Sequence, residues 1–242
     1  MNAISDKHKF AHFAPGMVVA FGQAIDARPH KHPLWQLWLP TSESTLNGEI
    51  LNHGSVIAPN TIHQLSMPEG WVILAEPESK LGEAIKALQE PLPTAPEIPS
   101  LSSLAAAFVD HPATAQALQT NPYQVKDQRL LRLLKHLDHC FSGDCLKPEQ
   151  WRAREVADWL AVSESRFLHL VKDELGIAWR PYLLWRRLIC AVSAIKRGVN
   201  ATEAAYLAGF SDSAHLSKTI KATFGMTSKE LIASFAKSQN RR

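Results

Sequence analysis

With 242 residues, 45% of them apolar and 20% charged, the chain is long enough for two small domains and too apolar to stay disordered. Its formal charge of +3 conceals a split: residues 1–124 hold 6 Lys and Arg against 11 Asp and Glu, whereas residues 125–242 hold 20 against 12. A basic half joined to an acidic half predicts a polyanionic partner for the basic half alone. The opening "MNAISDKHKFAHFAPG" lacks the apolar core of a secretory signal, and no apolar run approaches the roughly 20 residues that span a bilayer. A cytoplasmic protein is therefore expected. Three cysteines, Cys140, Cys145 and Cys190, lack paired spacing and predict reduced thiols rather than a disulfide framework or a Cys-rich zinc site.

From the N-terminus, "GMVVAFGQAI", "LWQLWLP", "GEILNHGSVIAP", "IHQLSM" and "GWVILAEP" are short β-type runs broken by Gly, Pro and Asn. They predict an antiparallel sandwich or barrel ending near Pro77, with "KLGEAIKALQE" as a helix after it. In "HKHPLWQLWLP", strand alternation places His30, His32, Leu34, Gln36 and Trp38 on one face, and "HGSVIAPNTIHQL" adds Gly54, Pro59 and His63. These two stretches resemble the paired motifs of the cupins, H-x-H-x3-E and G…P…H, which implies a cupin-like β-barrel. In metal-binding cupins the histidines and glutamate converge inside the barrel, but Gln36 stands here at the carboxylate position. The resemblance thus leaves two readings: His30, His32 and His63 as ligands of a divalent metal, or His30, His32, Gln36, Trp38 and His63 as a metal-free pocket that binds a small effector. Apart from that metal, no cofactor is expected.

"PLPTAPEIPSLSSLAAAFVDHPATAQALQTNPYQV" begins Pro-rich and turns alanine-rich, a linker followed by one or two short helices. Beyond it, "REVADWLAVSESRFLHLVKDELG" (154–176) and "ATEAAYLAGFSDSAHLSKTIKATFG" (201–225) state one pattern twice. Glu155-Val156-Ala157 matches Glu203-Ala204-Ala205 at an offset of 48, while Phe167, Val171 and Leu175-Gly176 match Leu216, Ile220 and Phe224-Gly225 at 49. Each reads as a helix, a tight turn and a second helix. Gly209 supplies the permissive backbone at one turn and Val162-Ser163 stands in its place at the other, with Ser163 as N-cap.

In the second helix of the first unit, Phe167, Leu170, Val171 and Leu175 follow core spacing. The opposite stripe is then Ser165, Leu168, His169 and Lys172 in the first unit and Ala214, Ser217, Lys218 and Lys221 in the second. A short polar-to-basic stripe on the second helix of such a pair suits the DNA major groove, with Leu168 placed to meet a thymine methyl and Lys218 to donate to guanine. Between the units, Pro181 to Arg197 predicts a helix of roughly 25 Å. That rod sets the two stripes about 34 Å apart, one turn of B-DNA.

Residues 127–235 resemble the AraC/XylS transcription regulators through "DQRLLRLLKHLDHCF", the first unit, "PYLLWRRLICA" and "EAAYLAGFSDSAHLSKTIKATFG". The chain departs from that family's pattern at Ser228, where Pro is usual, and at Val171 and Ile220, where Phe is common. The resemblance implies an α+β multidomain protein, a cupin-like β-barrel followed by an all-α domain with two helix-turn-helix units. The expected division is 1–90 for effector binding and dimerisation, 91–124 for the linker and 125–242 for DNA binding. The implied partners are double-stranded DNA, a small-molecule effector, a second copy in a homodimer and RNA polymerase. The expected function is a DNA-binding transcription regulator and not an enzyme. Its rivals are a metal-dependent cupin enzyme fused to a DNA-binding domain and a non-specific architectural DNA binder.

Overall fold

The computed structural model describes residues 9–25, 28–120, 123–139 and 151–235. Seven strands come first: β1 (Phe10–Ala14), β2 (Met17–Ile25), β3 (Trp35–Pro40), β4 (Ser44–Leu46), β5 (Glu49–Leu51), β6 (Ser55–Ile57) and β7 (Leu65–Ala75). They form one antiparallel sheet in the order β1-β2-β7-β3-β6, with β4 pairing β5 and β7. The long central strand β7 aligns Val72 with both Ala20 and Trp38, and Leu74 with both Val18 and Gln36.

Among the described residues the sheet does not close into the expected barrel. The reason is that both faces are covered by helices, so the sheet needs no second layer of strands to hide its apolar side. Val19, Phe21, Leu37, Leu39, Trp71 and Ile73 point to one face. There they pack on α1 (Lys80–Lys86), α2 (Leu101–Ala107) and α3 (Pro112–Gln119) through Leu81, Leu104, Phe108 and Leu118. The alanine-rich stretch is thus a cover for the sheet, sealed further by Trp71 Nε1 donating to Pro96 O at 2.9 Å.

The opposite face, with Val18, Leu34 and Leu74, joins the core of the C-terminal helices. These are α4 (Gln128–Leu137), α5 (Ala153–Trp159), α6 (Glu164–Leu175), α7 (Trp179–Lys196), α8 (Ala201–Leu207), α9 (Ser213–Phe224) and α10 (Ser228–Phe235). The first core gathers α4 to α7 around Leu133, Phe167 and Trp179; another gathers α7 to α10 around Leu188, Leu216 and Ile220 and includes Ala11 of β1.

The cysteines require a correction. Cys190, buried on α7, is disulfide-bonded. Cys140 and Cys145 lie outside the described residues. Spacing along the chain missed the bond because pairing depends on where the fold brings Cα atoms together.

Candidate nucleic-acid interface and effector cavity

The repeated unit folds twice with the same local chemistry. After α5 and after α8 the chain turns through a left-handed residue, Ala161 at φ 55° and Gly209 at φ 77°. These two residues are 48 apart, and Val162 N donates to Ala157 O just as Phe210 N donates to Ala205 O. The left-handed residue of the first turn is thus Ala161, one position before the expected pair, and an alanine accepts there a strain that glycine avoids. The extra residue follows it: the next helices are N-capped by Ser163 and Asp212, 49 apart, whose side chains accept from Arg166 N and His215 N. Both helices stop at a left-handed glycine, Gly176 and Gly225.

On α6, Phe167, Leu170, Val171 and Leu175 are buried, and on α9 so are Leu216 and Ile220. All eight residues of the expected groove stripe, Ser165, Leu168, His169, Lys172, Ala214, Ser217, Lys218 and Lys221, are exposed. Leu168 keeps 39% of its surface in solvent, which on an otherwise polar stripe leaves an apolar contact available. Two stripe residues have partners within the protein. Lys172 Nζ donates to Gly176 O at 2.9 Å, closing its own helix, and Ser228 Oγ lies 3.1 Å from Ser217 Oγ. The rod between the units is α7, whose 18 residues span roughly 27 Å.

In the sheet, backbone pairing builds the histidine cluster. His30 and His63 form an isolated antiparallel bridge, each N–H donating to the other's carbonyl at 2.9 Å, so their rings stand 4.3 Å apart. His32, two residues on, joins the same face and bonds through Nε2 to Gln36 Oε1 at 2.9 Å. His63 Nδ1 bonds to Thr61 O at 3.0 Å, which makes it the protonated nitrogen and leaves a lone pair on Nε2. By the same logic His32 presents a lone pair on Nδ1. Both of these nitrogens are buried without a partner among the described residues. The three residues bring one ring nitrogen each to within 4.8 Å of one another. Burial, assisted for His30 by its two histidine neighbours, holds His30 and His32 down to about 4 and lowers His63 as well. The cluster is therefore neutral at physiological pH, the protonation state in which imidazole binds a divalent cation or accepts a hydrogen bond.

A cavity lies between the sheet and the C-terminal helices. Val18, Ala20, Val72 and Leu74 form one wall, Ile189, Val192, Phe224, Met226 and Leu231 the other, and His30 and Gln36 are its polar members with Gln23. Gly22 and Gly70, partners across β2 and β7, also line it, so two side chains are missing where the strands face it. Of the expected effector residues, His30 and Gln36 line this cavity, while His32 and His63 are buried beside them. Trp38 lies apart from the cavity, fully buried against Ala24, Ile57, Leu65 and Met67.

Sequence reasoning did not reach the polar cluster that joins the halves. Glu76, at the end of β7 and fully buried, accepts from Tyr182 Oη at 3.3 Å and from Trp185 Nε1 at 3.2 Å. Arg186 donates to Tyr182 Oη, Tyr123 Oη and Asp138 at 3.0, 2.8 and 2.5 Å. Burial raises the Glu76 carboxyl above its usual value, and Arg186 pulls it part of the way back. For Arg186 burial opposes the charge, but Tyr182, Tyr123, Glu76 and Asp138 outweigh it.

Two helix pairs with exposed, basic-to-polar second helices, set on one rod, define a helix-turn-helix DNA-binding protein. The family model described as a helix-turn-helix domain, of AraC type, matches residues 156–234. No curated protein matches the chain in sequence. Among solved structures it is similar to ToxT from Vibrio cholerae strain SCE256 with an unsaturated fatty acid bound, at 12% identity over 93% of this chain and 98% of that one, with a TM-score of 0.47. ToxT from Vibrio cholerae O395 gives 12% identity, 92% and 99% coverage and 0.49. The AraC-like transcriptional activator CuxR gives 13%, 77% and 80%, and 0.24. Every one of these TM-scores lies below 0.5, too loose a likeness to decide anything about this chain. No helix among the described residues is long and apolar enough to cross a membrane.

Proposed function

We propose that the chain is a sequence-specific transcription regulator that reads two successive major-groove segments with α6 and α9, and that a small, largely apolar effector in the cavity sets how it does so. The residues that read bases are Ser165, Leu168 and His169 with Ala214, Ser217 and Lys218, while Lys172 and Lys221 lie nearer the backbone. The observation that carries the effector half of this reading is the double lining of the cavity: one wall belongs to the sheet, the other to α7, α9 and α10. A ligand filling it touches the second reading unit directly and biases whichever arrangement of the halves it fits better. His30 and Gln36 offer a hydrogen bond to its polar end. The working unit is a cytoplasmic protein divided at about residues 90 and 124, with a cupin-like effector half.

The test is selection of bound duplexes from a random pool by the full-length protein at near-physiological salt. Two enriched blocks about one helical turn apart are expected. Tight binding only at low salt, with no enriched sequence, would reduce the protein to an architectural binder.

A second reading of the histidines is favoured by the two unpartnered, buried nitrogens of His32 and His63. In it His30, His32 and His63 hold one divalent metal with open positions, and Gln36 orients His32 from behind. Full-length protein dialysed against Zn²⁺ or Ni²⁺ is then expected to retain one equivalent, and His63→Ala to retain none. Equal retention by both proteins ends the metal reading and leaves the histidines as hydrogen-bonding groups.

A further inference from the structure

The first reading unit borders a groove whose cations have no partner among the described residues. Its walls come from three elements: Arg152 and Arg154 at the start of α5, Glu164 and Leu168 on α6, and Arg180 and Arg187 on α7. None of the four guanidinium groups makes a hydrogen bond or ion pair with another described residue. The contrast with Arg129, bound to Asp127, and Arg186, bound to Asp138, is direct. Arg187 goes furthest, with its Nε buried and unpartnered and its charge disfavoured by burial. Among the described residues Glu164 is the one carboxylate lining the groove, so four cations there face one anion in a shared cleft. Such an arrangement repels itself in the free protein, and an anion with several charges in a row relieves it.

The position of the groove identifies that polyanion. It shares Leu168 with the stripe of α6 that the proposed function lays in the major groove. A helix in that groove has a phosphate strand along each flank, and its own stripe is poor in free cations, because Lys172 closes the α6 C-terminus. We infer that Arg152, Arg154, Arg180 and Arg187 form a clamp for the phosphate strand beside α6, resting on the reading of α6 as a DNA-recognition helix. The clamp fixes register and orientation, and the stripe reads sequence. Guanidinium suits the task because its planar fork meets phosphate oxygens two at a time and keeps its charge. Arg187 adds a link between the units, since its Nε would lie 3.3 Å from a Cβ placed on Gly209, at the turn of the second unit.

The experiment measures binding of the full chain to a duplex selected from the random pool and to a scrambled one, as a function of salt. Arg154→Ala and Arg180→Ala, both at exposed positions, are expected to weaken both duplexes alike, on the order of tenfold near 0.15 M salt. Each is expected to flatten the log–log salt slope by about 0.9, because one phosphate is no longer neutralised. Arg180→Lys should keep most of the slope, and Arg129→Ala, which removes the same charge outside the groove, should leave it unchanged. Wild-type slopes in the groove variants, or an equal change in Arg129→Ala, overturn the clamp while leaving the regulator intact. A wild-type protein that enriches no duplex overturns the reading of α6 and the clamp with it.

Discussion

Glu76→Ala is expected to lower the stability of the full chain by about 2–6 kcal/mol, as two buried donors at roughly 1–3 kcal/mol each lose their acceptor. The donors are Tyr182 Oη and Trp185 Nε1, both buried on α7. Glu76→Gln keeps one carbonyl oxygen, which Trp185 Nε1 needs, and turns its NH2 to Tyr182 Oη, a hydroxyl that can accept as well as donate, so it should cost less than alanine. The two variants also separate in their pH dependence. Because burial raises the folded-state value of Glu76 above its unfolded one, the native state holds the proton more tightly. Its contribution is complete below the usual carboxylate range and is lost as pH rises through the raised value, so wild-type stability should fall across that window. Glu76→Gln should flatten the fall. Urea unfolding at several pH values checks both points; equal losses for Ala and Gln would mean that charge rather than donor satisfaction holds the halves together. Since α7 carries both reading units, Glu76→Ala should also weaken the grip of the sheet on them and blunt any response to a cavity ligand.

What the sequence made legible was whatever has a period. The 3–4 spacing of Phe167, Leu170, Val171 and Leu175 determines which side of α6 is buried, and therefore which stripe is free. The paired offsets of 48 and 49 locate the added residue between the left-handed turn and the N-cap. Alternation placed His32, Leu34 and Gln36 on one face, and His32 Nε2 donates to Gln36 Oε1 there. Alternation cannot say what covers the second face of a sheet, and this is where the barrel expectation failed: α1 to α3 do that work, and although their segments read as helices, nothing in their sequence says that they lie on the sheet. Glu76 was invisible because its partners lie 106 and 109 residues away and an acid at a strand end is unremarked by any pattern. The four groove arginines are scattered over residues 152–187 among other charges, and only the crossing of α5, α6 and α7 collects them.

The second large effect concerns the independence of the two reading units. Phe167 is fully buried at the centre of the first core and meets Trp179 edge-on, with ring centroids 5.1 Å apart at 72°. Truncation to alanine there is expected to cost about 3–5 kcal/mol, lost transfer energy plus the cavity left behind. Leu216, 1% exposed, holds the equivalent position on α9 but in the separate core around Leu188 and Ile220, and Leu216→Ala should cost about 2–5 kcal/mol. Because the two side chains share no core, each variant should loosen its own recognition helix more than the other. In a footprint on the selected duplex, Phe167→Ala is then expected to lose protection over one block and keep the other, and Leu216→Ala to do the reverse. Loss of both blocks together in either variant would mean that α7 transmits the damage from one unit to the other. The rod would then couple the reading heads as well as space them, and a ligand touching only Ile189, Val192 and the second head would reach the first head through the same helix.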